Sequence, residues 1–328
     1  NVIISQTPFR ISFAGGGSDL PSYYLRHGGA VVSTAIDKYV YVTVSRKFDE
    51  SLRVSYSRTE EVGSAAQLQH PIVREGMGML GLQGGLEITS VADIPSRGTG
   101  LGSSSSFAVG LMHALHAIEG RHVSSGQLAD EACRIEIEKC GEPIGKQDQY
   151  AAAFGGLNYI QFHKDGSVQV DPIVLSPGAR EALNRNLLMF YTGITRSASD
   201  ILAKQSKVLA DQGKKAEAMH KMVTYAAELR DALCGRDFDA MGRILHENWL
   251  LKQSITDGIT SGQINTWYER ALGAGSLGGK LLGAGGGGFL LFYAPPEKHD
   301  AITSALTDLR RIPFSMEPRG SRIIFVNQ

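Results

Sequence analysis

The chain has 328 residues, enough for two domains of average size, and its 33 Lys and Arg balance its 33 Asp and Glu. This balance disfavours a basic nucleic-acid binder and a protein held by charge on an anionic membrane. No run of residues approaches the ~20 apolar residues of a membrane span. Three cysteines are few for a secreted disulfide scaffold. We therefore expect a cytoplasmic protein with neither nucleic acid nor a membrane as its partner.

Strand and helix patterns mix along the first half of the chain. The predicted strands are Val2–Gln6, Arg10–Ala14, Ala30–Ile36, Tyr39–Arg46 and Gly85–Val91, of which the third and fourth are interpreted as a strand pair. The predicted helices are Gln67–Leu80, Phe107–Ile118 and Ser125–Lys139. A hairpin is predicted from Gly155–Phe162 and Ser167–Val174.

The second half is more helical. Helical periodicity covers Ala198–Leu209, Lys214–Cys234, Phe238–Lys252 and Glu297–Leu309. The predicted strands are Asn186–Tyr191, Gly279–Leu282, Gly288–Tyr293 and Arg322–Val326. The change between the halves predicts a domain boundary near residues 180–190. Because the elements lack a regular βαβ alternation, the pattern favours an α+β fold over a doubly wound sheet.

A Gly/Ser-rich loop at residues 95–106 lies between an apolar strand and an apolar helix. Gly98, Gly100 and Gly102 allow backbone N–H groups to turn toward one point, and the start of the helix adds free N–H groups. Serine hydroxyls there can bind phosphate or Mg²⁺. The loop lacks the lysine of a Walker A motif and the final glycine of a hydrolase elbow. It predicts a triphosphate site, with a flexible linker as the alternative.

Three motifs, in this order, resemble those of the GHMP kinase superfamily, which includes galactokinase and mevalonate kinase. Thr7–Asp19 resembles the N-terminal motif and Lys280–Phe289 the C-terminal one. Pro95 with Gly98–Ser104 resembles the central Pro-x-x-x-Gly-Leu-Gly-Ser-Ser motif, with one extra residue. The resemblance implies a two-domain α+β fold. Residues 1–185 would form an ATP-binding domain like domain 2 of ribosomal protein S5, and residues 186–328 a ferredoxin-like domain.

Within the superfamily, six stretches resemble bacterial kinases of D-glycero-D-manno-heptose 7-phosphate: Pro8–Pro21, Ile36–Val44, Gly98–Gly110, Gly145–Asn158, Tyr191–Ser199 and Lys280–Tyr293. This resemblance implies transfer from ATP, with Mg²⁺, to the C1 hydroxyl of a sugar phosphate. The product would be a precursor of nucleotide-activated heptose for surface polysaccharides. Two alternatives remain: another GHMP sugar kinase, acting on a hexose or fucose, and a non-catalytic sugar or nucleotide sensor. A homo-oligomer is left open.

The resemblance also implies two catalytic residues. Asp148 matches the catalytic aspartate of galactokinase and mevalonate kinase, where it would orient the acceptor hydroxyl or accept its proton. The alternative is an aspartate that caps a helix starting near Gln149. Arg10 aligns with the cation of the first motif and would stabilise a developing alkoxide. Its alternative is a purely structural ion pair.

The same motifs imply a metal site and a nucleotide site. Glu136 lies twelve positions before Asp148, as the metal ligand of galactokinase does, and Ser104 would be the second Mg²⁺ ligand. Glu138 points about 200° away on an ideal helix, so only one of the two glutamates can face the site. A solvated glutamate is the alternative. The expected ATP-binding residues are Gly98, Gly100, Leu101, Gly102, Ser103, Ser104 and Ser105.

The acceptor site is expected at the first and third motifs. Asp19 matches a sugar-binding residue of galactokinase, and Ser18 is predicted beside it. The preceding Gly16-Gly17 pair replaces a Glu-His pair of galactokinase, which argues against galactose and fits an acceptor that already carries phosphate. The other predicted substrate-binding residues are Lys146 and Arg196, as phosphate-binding cations, and Gly285 and Gly286. Close backbone packing is the alternative for this glycine run.

Overall fold

The computed structural model describes residues 1–94, 100–194, 213–254, 262–282 and 288–327. The strands are β1 (Val2–Ala14), β2 (Gly29–Arg46), β3 (Leu52–Ser55), β4 (Thr59–Val62), β5 (Leu86–Ala92), β6 (Leu157–Phe162), β7 (Val168–Pro172), β8 (Leu187–Tyr191), β9 (Gly278–Leu281), β10 (Phe289–Tyr293), β11 (Arg310–Arg311) and β12 (Arg322–Asn327). Eight of them form one sheet in the order β12-β1-β2-β5-β3-β4, with β6 and β7 extending from β2. The other four form an antiparallel sheet, β11-β8-β10-β9.

The helices are α1 (Pro21–His27), α2 (Pro71–Met79), α3 (Ser103–Ile118), α4 (Ser125–Cys133), α5 (Gln147–Phe154), α6 (Pro177–Arg185), α7 (Gly213–Cys234), α8 (Phe238–Gln253), α9 (Gly262–Gly273) and α10 (His299–Ala305). A π-helical turn, Arg134–Lys139, continues α4. Short 3₁₀ turns occupy Ala65–Gln67 and Pro296–Lys298. The predicted helix at 198–209 lies outside the described residues. Within the described ranges, no helix has the length and apolar character needed to cross a membrane.

The first two strands differ from their prediction. β1 is one strand of 13 residues and β2 one strand of 18, where two short strands each were predicted. Pro8 lacks an N–H donor, and a register shift between Pro8 and Arg10 accommodates it within β1. The predicted pairing of the two halves of β2 with each other is wrong, because the first half pairs with β6 and the second with β5.

The main core holds α3 against β1 and β2. Ile11 and Phe13 of β1 and Leu111 and Leu115 of α3 are all fully buried, and burial of each such side chain stabilises the fold by about 1.5–3 kcal/mol. Where α3 crosses β1, a Cβ on Gly110 would lie 2.7 Å from Thr7 Oγ1, so only glycine allows this approach. The packing fixes the start of α3 beside the second half of β1.

The second half of the chain packs onto the first. Helices α7 and α8 contact β1, and α8 also packs on β9 and β10. The last strand, β12, returns to the first sheet and pairs antiparallel with β1. The α+β class is confirmed, because both sheets consist mainly of antiparallel pairs and helices pack on them. The division of the chain at residues 185/186 stays a prediction. The helices and strands that the sequence did not indicate are α1, α6, α9, β3, β4 and β11.

Candidate active site

Arg10 and Asp148 form an ion pair at the centre of the site. Arg10, on β1, is 3% exposed, and its Nε donates to Oδ1 of Asp148 over 2.6 Å. Asp148 lies in the first turn of α5, whose N-cap is Lys146 without a side-chain cap hydrogen bond. The alternative in which Asp148 caps this helix is therefore wrong. The side chain of Asp148 keeps 27% exposure, so part of its carboxylate is open to a substrate.

The glycine loop packs directly on this pair. The Nη1 of Arg10 donates to the carbonyl of Gly100 over 2.8 Å, and its backbone N–H donates to the carbonyl of Leu101 over 3.0 Å. Gly100 and Gly102 have φ of 81° and 72°, in the left-handed region that favours glycine. A Cβ on Gly102 would lie 3.2 Å from Cγ of Arg10 and 3.3 Å from Cγ of Asp148. The loop thus brings the start of α3 to the ion pair.

The start of α3 has the features of an anion site. Its N-cap residue, Gly102, has no side chain to cap the helix. The first N–H groups of a helix lack intrahelical partners, and the helix dipole adds positive potential at this end. Ser103, Ser104 and Ser105 make up the first turn. This arrangement suits a polyphosphate.

Ser104 and Glu136 are 32 positions apart in the sequence but in contact in the structure. Oγ of Ser104 donates to Oε2 of Glu136 over 2.9 Å. Nε2 of Gln149 donates to Oε1 of Glu136 over 3.0 Å. As predicted, only one glutamate faces inward, since Glu136 is 2% exposed and Glu138 is exposed. Burial raises the pKa of Glu136 to about 7. Its carboxylate therefore lacks compensating positive charge, which a bound cation would supply.

The Ser104–Glu136 pair fits Mg²⁺, which prefers hard oxygen ligands and is commonly held by one or two protein groups together with substrate phosphates. Within the described parts of the chain, no group of three or more His, Cys, Asp or Glu could hold a metal without such help. When bound, Mg²⁺ would offset the negative charge that the phosphates carry. The assignment of these two ligands stays a prediction.

Asp19 joins the turn after β1 to the start of α5. It is 3% exposed, and its carboxylate accepts hydrogen bonds from the N–H of Gly17 over 3.1 Å and from N and Nε2 of Gln147, each over 3.2 Å. A Cβ on Gly145 would lie 2.0 Å from its Oδ2. Burial, and then the nearby charge of Asp148, raise the pKa of Asp19. These bonds position the turn, and direct contact of Asp19 with a sugar stays a prediction.

Ser18 is engaged with the backbone of the same turn. Its Oγ donates to the carbonyl of Gly15 over 2.7 Å and to that of Ala30 over 3.0 Å. It also accepts from the N–H of Ala30 over 3.0 Å. The hydroxyl is therefore occupied by the protein, and its predicted contact with the acceptor stays a prediction.

Two buried lysines converge on this centre and were not predicted. Lys252, in the last turn of α8, is 4% exposed, and Lys280, on β9, is 1% exposed. Burial lowers the pKa of Lys252 to about 8; Asp19 and Asp148 oppose this shift and Arg10 adds to it. Burial lowers the pKa of Lys280 well below its usual value, as do the neighbouring charges of Lys252 and Arg10.

A sequence signal for Lys252 was present on α8. Met241 and Leu245 are fully buried, and Asn248 and Lys252 continue the same helical stripe. Polar residues that continue an apolar stripe face a buried polar site instead of solvent. Lys280 carried no comparable signal beyond its place in the third motif.

The contacts of the Lys146 side chain are with Gly166 and Tyr24. Its Nζ donates to the carbonyl of Gly166 over 2.9 Å and lies 5.2 Å from the ring centre of Tyr24. This ammonium has three N–H donors and uses one of them on Gly166, and its binding of a sugar phosphate stays a prediction. Four predicted site residues lie outside the described residues: Gly98, Arg196, Gly285 and Gly286.

Comparisons with known proteins agree with the geometry. The family model for the GHMP kinases N terminal domain matches residues 64–156, and the model for the GHMP kinases C terminal domain matches residues 229–310. The chain is 30% identical over 319 residues to the D-glycero-alpha-D-manno-heptose 7-phosphate kinase of Campylobacter jejuni subsp. jejuni serotype O:2, covering 93% of each protein. It is 26% identical over 343 residues to the galactokinase of Pyrococcus furiosus, covering 93% of this chain and 92% of that protein.

Solved structures give the same result. A D-glycero-D-manno-heptose 1-phosphate kinase from Bacteroides thetaiotaomicron superposes with a TM-score of 0.81 at 26% identity, over 99% of this chain and 100% of that one. The galactokinase of Lactococcus lactis in complex with galactose superposes with a TM-score of 0.78 at 17% identity, over 98% of this chain and 95% of that one. At this lower identity, the likeness shows the fold alone.

The two family models together cover more than half of the chain, and the Campylobacter relative matches almost its full length. The chain belongs to the GHMP kinase family. This confirms the resemblance and the two-domain GHMP kinase fold predicted from the sequence. The chain is an ATP-dependent phosphotransferase with an alcohol group as acceptor.

Proposed function

We propose that the chain transfers the γ-phosphoryl group of ATP to the C1 hydroxyl of D-glycero-D-manno-heptose 7-phosphate. The product would be the 1,7-bisphosphate, a precursor of nucleotide-activated heptose for surface polysaccharides. The observation that carries the proposal is the Arg10–Asp148 pair, packed directly against the glycine loop. The Campylobacter relative supports the choice of sugar.

Phosphoryl transfer passes through a loose transition state, so it depends on positioning and on neutralising charge. Gly100, Gly102 and the first turn of α3 would bind the polyphosphate through backbone N–H groups. Ser104 and Glu136 would hold Mg²⁺ beside it. These contacts would bring the nucleotide within reach of the ion pair.

Asp148 would act on the acceptor hydroxyl. As the oxygen forms its bond to phosphorus and ADP leaves, the O–H bond breaks and the proton passes to the carboxylate of Asp148. Arg10 holds that carboxylate through Oδ1, which leaves the other oxygen for this exchange. The guanidinium also places a permanent positive charge beside the oxygen that attacks.

The charges around the acceptor space favour an anionic acceptor. Arg10, Lys252 and Lys280 are buried together there. The aspartates that face this cluster are Asp19 and Asp148. Burial favours the neutral form of both lysines, so a bound anion would favour their charged forms, and a phosphorylated sugar supplies such an anion. A neutral hexose or fucose would not.

A substrate panel tests the proposal. Heptose 7-phosphate, heptose 1-phosphate, unphosphorylated heptose, fucose, galactose and mevalonate are each supplied with ATP and Mg²⁺. ADP release is measured, and the new phosphate is located by ³¹P NMR. The proposal predicts the highest kcat/KM with the 7-phosphate and a new phosphate on C1. A higher value with heptose 1-phosphate, the substrate that the name of the Bacteroides kinase suggests, would overturn it. Absence of ADP release with every sugar would favour a sensor.

A further inference from the structure

Neither the backbone conformation nor the packing at position 16 requires a glycine. Its neighbours Gly15 and Gly17 have φ of 86° and 100°, but Gly16 itself does not lie in the left-handed region. A Cβ on Gly16 would lie 3.4 Å from Nζ of Lys252, 3.6 Å from Nε2 of Gln147, and 3.7 Å from Oγ of the nearby serine of β1. These are ordinary contact distances. Position 16 therefore has room for a methyl group, and polar atoms of three residues surround this small space.

Three polar groups around this space have unused hydrogen-bonding capacity. Oγ of Ser12, Oε1 of Gln147 and Nδ2 of Asn248 are buried and lack a hydrogen-bond partner among the described residues. Ser12 is 3% exposed and Asn248 is 1% exposed. Oδ1 of Asn248 lies 3.4 Å from the backbone N of Gly15, which donates to it and places the amide at this same turn. Buried polar groups are rarely left unpaired, and the hydroxyl groups of a sugar would satisfy them.

Lys252 adds positive charge to the same space. It follows Asn248 by four positions, so both side chains lie on one face of α8. Its charged neighbours are Asp19, Asp148 and Arg10, and it is itself a neighbour of Lys280. A buried ammonium is costly to desolvate. A buried cation whose pKa is shifted by burial and by identifiable charged neighbours is a candidate binding residue.

We propose that Lys252 binds the phosphate group of the acceptor sugar beside Gly16, while Ser12, Gln147 and Asn248 bind its hydroxyl groups. This inference rests on the proposed function and names the cation that recognises its substrate. Because Gln147 precedes Asp148 directly, an acceptor held there lies next to the ion pair. The γ-phosphoryl group of ATP is the other source of the same chemistry, and the binding experiment distinguishes the two.

Equilibrium binding by calorimetry, in the absence of catalysis, tests the inference. Heptose 7-phosphate, unphosphorylated heptose and ATP are titrated separately into the wild type and Lys252→Met. Loss of one charged hydrogen-bonding partner should weaken binding of heptose 7-phosphate by roughly 10-fold to 100-fold. Affinities for unphosphorylated heptose and for ATP should stay within about 3-fold of the wild type. Lys252→Arg should retain much of the affinity for the phosphorylated sugar, and Lys221→Met, an exposed lysine of α7, should change none of the three.

Gly16→Asp gives an independent test. Its Cβ has room, and its carboxylate would pair with Lys252 and repel the sugar phosphate, so the same selective loss is expected. Thermal unfolding shows that each variant is folded, and if Lys252→Met does not fold, Gly16→Asp carries the test. Equal weakening of both sugars, weakening of ATP alone, or unchanged binding in either folded variant would overturn the inference. Failure of the wild type to bind any phosphorylated sugar would instead reject the proposed function, before the variants are compared.

Discussion

Arg10 and Asp148 are 138 positions apart in the sequence, yet Nε of the first lies 2.6 Å from Oδ1 of the second. One belongs to the strand that runs through the first sheet, and the other lies in the opening turn of α5. The same pair supports Gly102 of the glycine loop. Arg10 therefore holds both the glycine loop and the carboxylate of Asp148 in place. A substitution of Arg10 or Asp148 should lower kcat more than it weakens nucleotide binding.

Replacement of Arg10 tests this support. Arg10→Met removes the charge next to Asp148 and the donor to the carbonyl of Gly100. We expect kcat to fall by about 10²–10³-fold, with a KM for ATP near that of the wild type. Because a buried pair loses one partner, we also expect the free energy of unfolding to fall by about 3–5 kcal/mol. Steady-state kinetics and urea unfolding measure the two effects.

The control is Arg46→Met, which breaks an exposed ion pair with Glu119 and should cost at most about 1 kcal/mol. If Arg10→Met retained the kcat of the wild type, the pair would be only structural, as the alternative from the sequence holds.

A comparison of Gly102→Ala with Gly120→Ala separates the effect of backbone strain from the effect of contact with the ion pair. At φ of 72° an alanine is strained by about 1–2 kcal/mol, and its Cβ would press on Arg10 and Asp148. Gly120, just after the other end of α3, has φ of 73°, and a Cβ added there would meet no atom of the other described residues within 4 Å. Both substitutions should lower the melting temperature, Gly102→Ala at least as much as Gly120→Ala, but only Gly102→Ala should lower kcat/KM. Similar activity losses in the two variants would show that the contact is unimportant.

Glu136→Gln should weaken Mg²⁺ binding without destabilising the fold. Glutamine can keep hydrogen bonds to Ser104 and Gln149 without a buried charge, so the variant without ligands should be at least as stable as the wild type. Mg²⁺ with ATP should then raise its melting temperature less than that of the wild type, because tighter binding to the native state gives greater stabilisation. Glu138→Gln, an exposed neighbour, is the matched control. An equal Mg²⁺-dependent shift in both variants would reject Glu136 as a ligand.

The charge of Lys252 predicts a pH dependence. Burial lowers its pKa to about 8, so the ammonium is charged below this pH and neutral above it. The charged groups that face it are Asp19, Asp148, Arg10 and Lys280. We expect kcat/KM for the sugar phosphate to fall as pH rises past about 8, by about 10-fold per unit.

Lys252→Arg keeps its charge at every pH of interest, so this alkaline decline should disappear from its pH profile. An unchanged decline in Lys252→Arg would assign it to another group.

The sequence predicted the glycine loop and the residues Arg10 and Asp148, but it did not predict that Lys252 lies beside Gly16. The difference has a physical reason. The start of α3 follows from the local Gly/Ser motif, and the pairing of Ser104 with Glu136 was implied by the resemblance to the GHMP kinases. The buried position of Lys252 depends on how α8 packs against β1 and β9, which no local pattern specifies. A lysine in a helix is usually solvated, and only its place on the stripe of Met241 and Leu245 contradicted that expectation.

The fold shows the same contrast. The predicted strands leave gaps at residues 7–9 and 37–38, where the structure has a register shift within longer strands. Pairing with β6 and β5 on one side, and with β1 along the other, keeps β2 continuous through this irregularity. Long-range pairing thus overrides a local signal for a break.

The central claim is that Asp148 directs the acceptor hydroxyl to a nucleotide held by the glycine loop. The most direct test mixes ATP, Mg²⁺ and heptose 7-phosphate with the wild type or Asp148→Asn, and follows the C1 phosphate by ³¹P NMR. We predict that Asp148→Asn binds ATP normally but forms the product about 10²–10⁴-fold more slowly. Undiminished product formation by a folded Asp148→Asn would contradict the account.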